Sequence, residues 1–118
     1  MYKAGLVLEG GAMRCMFSAA VVDKMLEENI EFEYVNGVSS GSLTGMNYVA
    51  RQIGRTANVS LKFVNDKRYM SFQNLIKYKQ IFFFVFLFGD IAKKYIPFDE
   101  ETFMQSPMRY EVGVTNCI

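Results

Sequence analysis

"YVNGVSSGSLTGMNY", Tyr34 to Tyr48, decides how the rest of this chain is read. A β-like run, Phe32 to Val38, enters a crowd of glycines and serines, and a helix-like run, Leu43 to Ile53, leaves it. Within the crowd, Gly37-Val38-Ser39-Ser40-Gly41 fits G-x-S-x-G, the pattern of a serine held on a sharp strand-to-helix turn. Background frequencies of glycine and serine produce that pattern by accident in roughly one chain of this length in twenty-five. Its meaning therefore rests on its surroundings.

A similar arrangement stands upstream. "AGLVL", Ala4 to Leu8, is a short apolar run ended by Glu9-Gly10-Gly11, as expected of a buried strand entering a tight turn. From Ala12 or Met13 to about Asn29 the period changes. Phe17, Ala20, Val21, Met25 and Leu26 fall close to helical spacing, while Asp23, Lys24, Glu27 and Glu28 fall largely on the other side. Two successive strand-to-helix units predict a parallel sheet with helices packed on its faces, because parallel neighbours need a crossover and such crossovers are right-handed. The expected class is α/β. Arg55 to Asn65 reads as a further helix, and "YEVGVTN", Tyr110 to Asn116, alternates as a further strand does. Asp66 to Pro107, punctuated by Pro97 and Pro107, shows no clear period.

Composition bounds the answer. The chain has 118 residues, 51% of them hydrophobic and 21% charged, which is ordinary globular usage for at most one domain. A net charge of +1, with neither a basic stripe nor an RNA-binding signature, makes no case for nucleic acid. Cys15 and Cys117 stand far apart, without metal or redox spacing, and the N-terminal apolar run is too short for a secretory leader. A cytoplasmic setting is the expectation. Histidine is absent, so neither a Ser-His-Asp triad nor a histidine-held metal can be assembled from these residues.

In open parallel sheets, ligands bind beyond the carboxyl ends of the strands. Gly10-Gly11-Ala12 and Ser39 both stand at such ends and are expected at one edge of the sheet. A serine on a tight turn exposes its hydroxyl, and Gly37 and Gly41 leave room for the close approach of strand, helix or acyl substrate. Backbone N–H groups at the other turn are suited to stabilise an oxyanion. Nucleophile and oxyanion donors together define acyl transfer. Gly10-Gly11 also reads simply as a turn. It is neither a P-loop nor a dinucleotide fingerprint, since G-x-x-x-x-G-K-[ST] and G-x-G-x-x-G are both missing.

"LVLEGGAMRCMFSAAVVDKMLEENIEF" followed by "VNGVSSGSLTGMNYVARQIGR" closely resembles the bacterial patatin-like phospholipases. The likeness continues more loosely through "DKRYMSFQNLIK", "FLFGDI", "PFDEETF" and "VTNC". It implies a three-layer α/β/α fold with a mainly parallel sheet, and a serine esterase acting on lipid acyl esters without metal or cofactor. It also implies Ser39 as nucleophile, the N–H groups of Gly10, Gly11 and Ala12 as oxyanion donors, and Arg14 as the arginine beside that turn. Arg14 then positions the loop or meets a substrate anion; the alternative is a solvated charge in the first helical turn. Cys15 stands where that family usually has glycine and adds bulk beyond the oxyanion turn.

The family's base is an aspartate in a later D-G-G or D-G-A motif, part of a Ser-Asp dyad that needs no histidine. No such motif occurs here: Asp23, Asp66, Asp90 and Asp99 all stand in other contexts. The expectation is that residues 1–118 are the N-terminal part of a patatin-like phospholipase domain, inactive alone. The alternative is a non-catalytic or degenerate α/β module that keeps the turns for structure or binding. "IFFFVFLF", Ile81 to Phe88, contains five phenylalanines and is too short to span a membrane. It reads either as a buried core segment or as a wall facing lipid in peripheral membrane contact. Left uncovered, such a run favours self-association.

Overall fold

The computed structural model describes residues 1–63 and 96–114. Among these, 1–56 and 99–114 belong to one compact unit, and 57–63 and 96–98 to a second. The first unit contains the sheet. Strands β1 (Tyr2–Leu8), β2 (Phe32–Val38) and β3 (Arg109–Gly113) lie side by side in that order, all parallel. Leu8 pairs with Gly37 and Gly37 with Val112, so the carboxyl ends of the three strands finish level along one edge. The α/β class and the parallel sheet are those the sequence predicts.

After β1 a single 3-10 turn, Ala12–Arg14, leads into helix α1 (Cys15–Glu27). Its buried stripe is Cys15, Ala19 and Val22, continued by Met25 and Leu26 against the core. This corrects the predicted face. Phe17 is 79% exposed and Val21 38%, because α1 is apolar over a wide arc and spacing alone does not say which part turns inward. The helix stops where Asn29 turns to φ 57°: Asn29 N–H donates to the Leu26 carbonyl and Ile30 N–H to that of Met25. This is a Schellman ending.

Helix α2 (Ser40–Val49) begins immediately after Ser39 and ends short of the predicted Ile53. The same ending closes it. Arg51 turns to φ 58°, its N–H donates to the Tyr48 carbonyl, and Gln52 N–H donates to that of Asn47. Neither stop carries a glycine at the left-handed position, so the glycine signal for a helix end was missing from the sequence. Helix α3 spans Arg55–Phe63, close to the predicted helix. Helix α4 (Glu100–Gln105) lies in the stretch without clear period. Its signal is Asp99, which accepts hydrogen bonds from Thr102 N–H at 3.1 Å and Thr102 Oγ1 at 2.6 Å, followed by Glu100 and Glu101 in the first turn.

The core of the first unit joins Leu8, Val22, Val35, Tyr48, Val49 and Met108, with Leu6, Met25, Leu26, Phe103 and Tyr110 packed around them. Side chains alternate across a strand, so α1 and α2 cover the face that carries Leu6, Leu8, Val35 and Tyr110. Tyr48 is fully buried, and its hydroxyl donates to the Ile30 carbonyl at 2.6 Å. That bond staples α2 to the loop leaving α1. Burial raises the Tyr48 pKa, with nearby Glu31 adding to the effect, so the hydroxyl stays a protonated donor. On the opposite face, Tyr34 donates to Glu111 Oε2 at 2.8 Å, tying β2 to β3, and Arg109 pairs with Glu111 Oε1 at 2.7 Å within β3.

Candidate functional site

β2 runs into α2 with a single residue between them. Ser39 takes φ 56° and ψ −128°, a conformation that side-chain-bearing residues rarely adopt. The strain has a geometric origin: the chain reverses from extended to helical within one residue, and the side chain is left exposed at the tip. Glycines flank it for steric reasons. A Cβ on Gly37 would lie 2.5 Å from the Gly41 carbonyl oxygen and 2.6 Å from Ser42 Cα. A Cβ on Gly41 would lie 2.5 Å from the Glu9 carbonyl oxygen and 2.8 Å from the Leu8 carbonyl carbon, besides meeting the Leu8 carbonyl oxygen. Gly37 therefore lets β2 touch the first turn of α2, and Gly41 lets that turn touch the end of β1.

The two glycine-bearing turns accordingly meet at one sheet edge. A Cβ on Gly10 would sit 3.0 Å from Ser39 Cβ, 3.2 Å from the Val38 carbonyl oxygen and 3.7 Å from Ser39 Oγ. Gly11 has φ 148°, in the region that favours glycine, and Arg14 N–H donates to its carbonyl at 2.9 Å. The Arg14 side chain folds back over this turn, with Nε 3.0 Å and Nη2 3.2 Å from where a Gly11 Cβ would stand. Ala12 opens the 3-10 turn that follows. Ser39, Gly10, Gly11, Ala12, Arg14, Gly37 and Gly41 are thus one neighbourhood.

Four further side chains brace the serine turn, and sequence reasoning did not single out three of them. Ser42 Oγ donates to the Ser39 carbonyl at 2.5 Å, Thr44 Oγ1 to the Ser40 carbonyl at 3.1 Å, and Tyr110 OH to the Ser42 carbonyl at 2.6 Å. Burial raises the Tyr110 pKa, which keeps its hydroxyl a donor. The fourth is Cys15, noted from the sequence only for its bulk. Its thiol, 5% exposed, donates to the Glu9 carbonyl at 3.2 Å and lies 3.0 Å from Ser40 Oγ.

Of the aspartates, Asp99 caps α4 and Asp23 lies within α1; Asp66 and Asp90 lie outside the described residues, as does the run Ile81 to Phe88. Among the described residues there is no group of three or more His, Cys, Asp or Glu side chains placed to hold a metal. No described helix is long and apolar enough to cross a membrane.

This is an α/β fold in which a serine turn at positive φ faces a glycine turn at one edge of a parallel sheet. The patatin-like phospholipase family model matches residues 6–111, a span that takes in both turns and all but the last two residues of β3. The chain belongs to the patatin-like phospholipase family, a family of lipid acyl hydrolases. No curated protein and no solved structure matches it significantly.

Proposed function

We propose that these residues carry the nucleophile and oxyanion half of a Ser-Asp lipid acyl hydrolase, the N-terminal part of a patatin-like phospholipase domain. The carrying observation is the exposed, positive-φ Ser39 set against the Gly10 backbone. In this reading Ser39 Oγ attacks the carbonyl carbon of an acyl ester while its proton passes to a carboxylate base. The carbonyl oxygen becomes an oxyanion held by the N–H groups of Gly10, Gly11 and Ala12. The C–O bond to the alcohol then breaks, the alcohol leaves with the proton, and water releases the acid from the acyl-serine. Arg14 steadies the glycine turn, and Gly37 and Gly41 hold the geometry.

The base is the missing part. With no D-G-G or D-G-A in the sequence, Ser39 lacks general-base assistance worth about 10²–10⁴-fold, and residues 1–118 alone do not turn over. A second reading, a degenerate module that keeps the turns for structure, draws on the same absence. We assign the lipid ester as substrate, met in peripheral contact with a membrane from the cytoplasm, and expect self-association through the phenylalanine run. Analytical ultracentrifugation of the parent against a Phe83→Ser, Phe86→Ser variant checks that last point; a monomeric parent would refute it.

A fluorophosphonate followed by peptide mass spectrometry tests the site. Ser39 is expected to react faster than Ser40 or Ser42 on the same turn. A short-chain p-nitrophenyl ester is expected to be hydrolysed no faster by the parent than by Ser39→Ala. Equal labelling of the three serines would leave the turn a structural feature only. Ser39-dependent hydrolysis would show that an aspartate within these residues serves as base.

A further inference from the structure

The geometry points to Cys15 as a positioning residue whose thiol bridges the glycine turn to the serine turn and sets the spacing between Ser39 and the N–H groups opposite. This rests on the acyl-hydrolase reading of Ser39. The thiol stands at the start of α1, buried, with Sγ 3.2 Å from the Glu9 carbonyl oxygen and 3.0 Å from Ser40 Oγ. Glu9 immediately precedes Gly10, and Ser40 immediately follows Ser39. One side chain therefore holds the residue beside each half of the site.

Hydrogen counting fixes the direction of the bridge. A thiol has a single hydrogen, and geometry assigns it to the Glu9 carbonyl. The bond to Ser40 must then run the other way, with the Ser40 hydroxyl donating to sulfur. Both ends bear on small displacements. Gly10 approaches Ser39 closely enough that a Cβ there would stand 3.0 Å from Ser39 Cβ, so a slight parting of the turns enlarges the space in which an oxyanion has to be held. A misplacement of about 1 Å at a reacting centre costs up to about a hundredfold in rate. The Ser40 carbonyl and the Ser39 carbonyl are already tied inside α2, by Thr44 and Ser42. Those bonds shape the serine turn itself. The Cys15 thiol is different in kind, because it joins this turn to the other.

A purely space-filling thiol and a bridging one respond differently to substitution. Serine at position 15 keeps a donor and an acceptor, whereas alanine keeps neither. If the thiol only fills space, serine is the worse replacement, since it buries a hydroxyl among groups it does not need. If it bridges, serine rescues.

The experiment is the rate of Ser39 phosphonylation by a fluorophosphonate in the parent, Cys15→Ala, Cys15→Ser, Ser40→Ala and the Cys15→Ala, Ser40→Ala pair, with melting curves showing that each is folded. Cys15→Ala and Ser40→Ala are expected to lose about tenfold. The pair should lose little more than either single variant, since one interaction is removed twice. Cys15→Ser should recover most of the rate. An infrared S–H stretching band, recorded in a Cys117→Ser background, reports the bridge without relying on reactivity and is expected to shift in Ser40→Ala. If Ser39 labels preferentially in the parent and equally fast in Ser40→Ala, with an unmoved S–H band, the bridge is refuted and the hydrolase reading stands. If Ser39 in the parent reacts no faster than Ser42 while the band does shift, the hydrolase reading is refuted and the positioning role falls with it.

Discussion

Replacing Ser39 with glycine should make the protein more stable while removing the group the site is built around. Ser39 is held at φ 56° and ψ −128°, and a side chain in such a region costs about 1–3 kcal/mol relative to a relaxed backbone. Glycine carries no such penalty. Against this, glycine gives the unfolded chain more freedom, which costs about 0.4–1 kcal/mol. The Ser39 side chain is exposed, and the Ser39 carbonyl accepts from Ser42 N–H and Ser42 Oγ, bonds that glycine retains. The balance is a gain of about 1 kcal/mol. For a unit of this size that raises the melting temperature by roughly 4–8 °C. Ser39→Ala keeps the Cβ and the strain, so it should melt close to the parent. Thermal unfolding followed by circular dichroism compares the three proteins directly. A Ser39→Gly variant that melts below both others would show that the turn is not strained, and the argument from strain to function would fail.

A Cβ at Gly41 meets backbone that cannot rotate away, 2.5 Å from the Glu9 carbonyl oxygen, so Gly41→Ala should cost about 1–3 kcal/mol in melting experiments. At Gly45 the neighbours are side-chain tips at 3.3 Å and alanine favours the helix, so Gly45→Ala should stay within about 1 kcal/mol of the parent; equal losses at both positions would contradict the assignment of the contacts. Tyr48→Phe leaves the Ile30 carbonyl without its buried donor and should cost about 1–3 kcal/mol by chemical denaturation, an unchanged midpoint being the contrary result. Hydrogen bonding from Tyr34, and secondarily Arg109, holds the Glu111 carboxyl below its ordinary pKa, so its contribution to stability is present above the unfolded value near about 4.3 and is lost as pH falls through the folded one. Tyr34→Phe should therefore lower the melting temperature at about pH 7 and less so as the solution is acidified through the carboxylate range; a gap that persists at low pH would assign the loss to something other than that charge.

The strand-turn-helix units were legible because each is written in local signals: an apolar run, then small residues, then a change of period. Ser39 was legible for the same reason, since G-x-S-x-G compresses a three-dimensional contact into five consecutive residues. What the sequence did not disclose was set by contacts between distant segments. The buried stripe of α1 depends on which arc faces Val35 and Tyr48, and Phe17 was misassigned because the helix is apolar on both sides of that arc. The end of α2 escaped because Arg51, not a glycine, adopts the left-handed conformation, whereas the expected end of α1 near Asn29 falls on its left-handed stop. Tyr110 reaches the Ser42 carbonyl from a strand 68 residues further along, a contact that no local pattern announces.

The bracing of Ser39 bears on the choice between a working half-site and an inherited turn. A chain that needs only a sharp reversal between β2 and α2 is best served by glycine at position 39, which adopts φ 56° without strain. Serine there leaves an exposed hydroxyl opposite the Gly10 backbone, and the surrounding structure is committed to keeping it so. Ser42 and Tyr110 secure the carbonyls on either side of the first helical turn, Gly37 and Gly41 let three backbone segments touch, and Cys15 ties the facing turn to Ser40. None of these groups needs a hydroxyl at position 39 for its own packing. A strained residue that its neighbours over-determine, and that no neighbour among the described residues uses, points to a role toward what approaches it from solvent. In the function proposed above, that is the carbonyl carbon of a lipid ester.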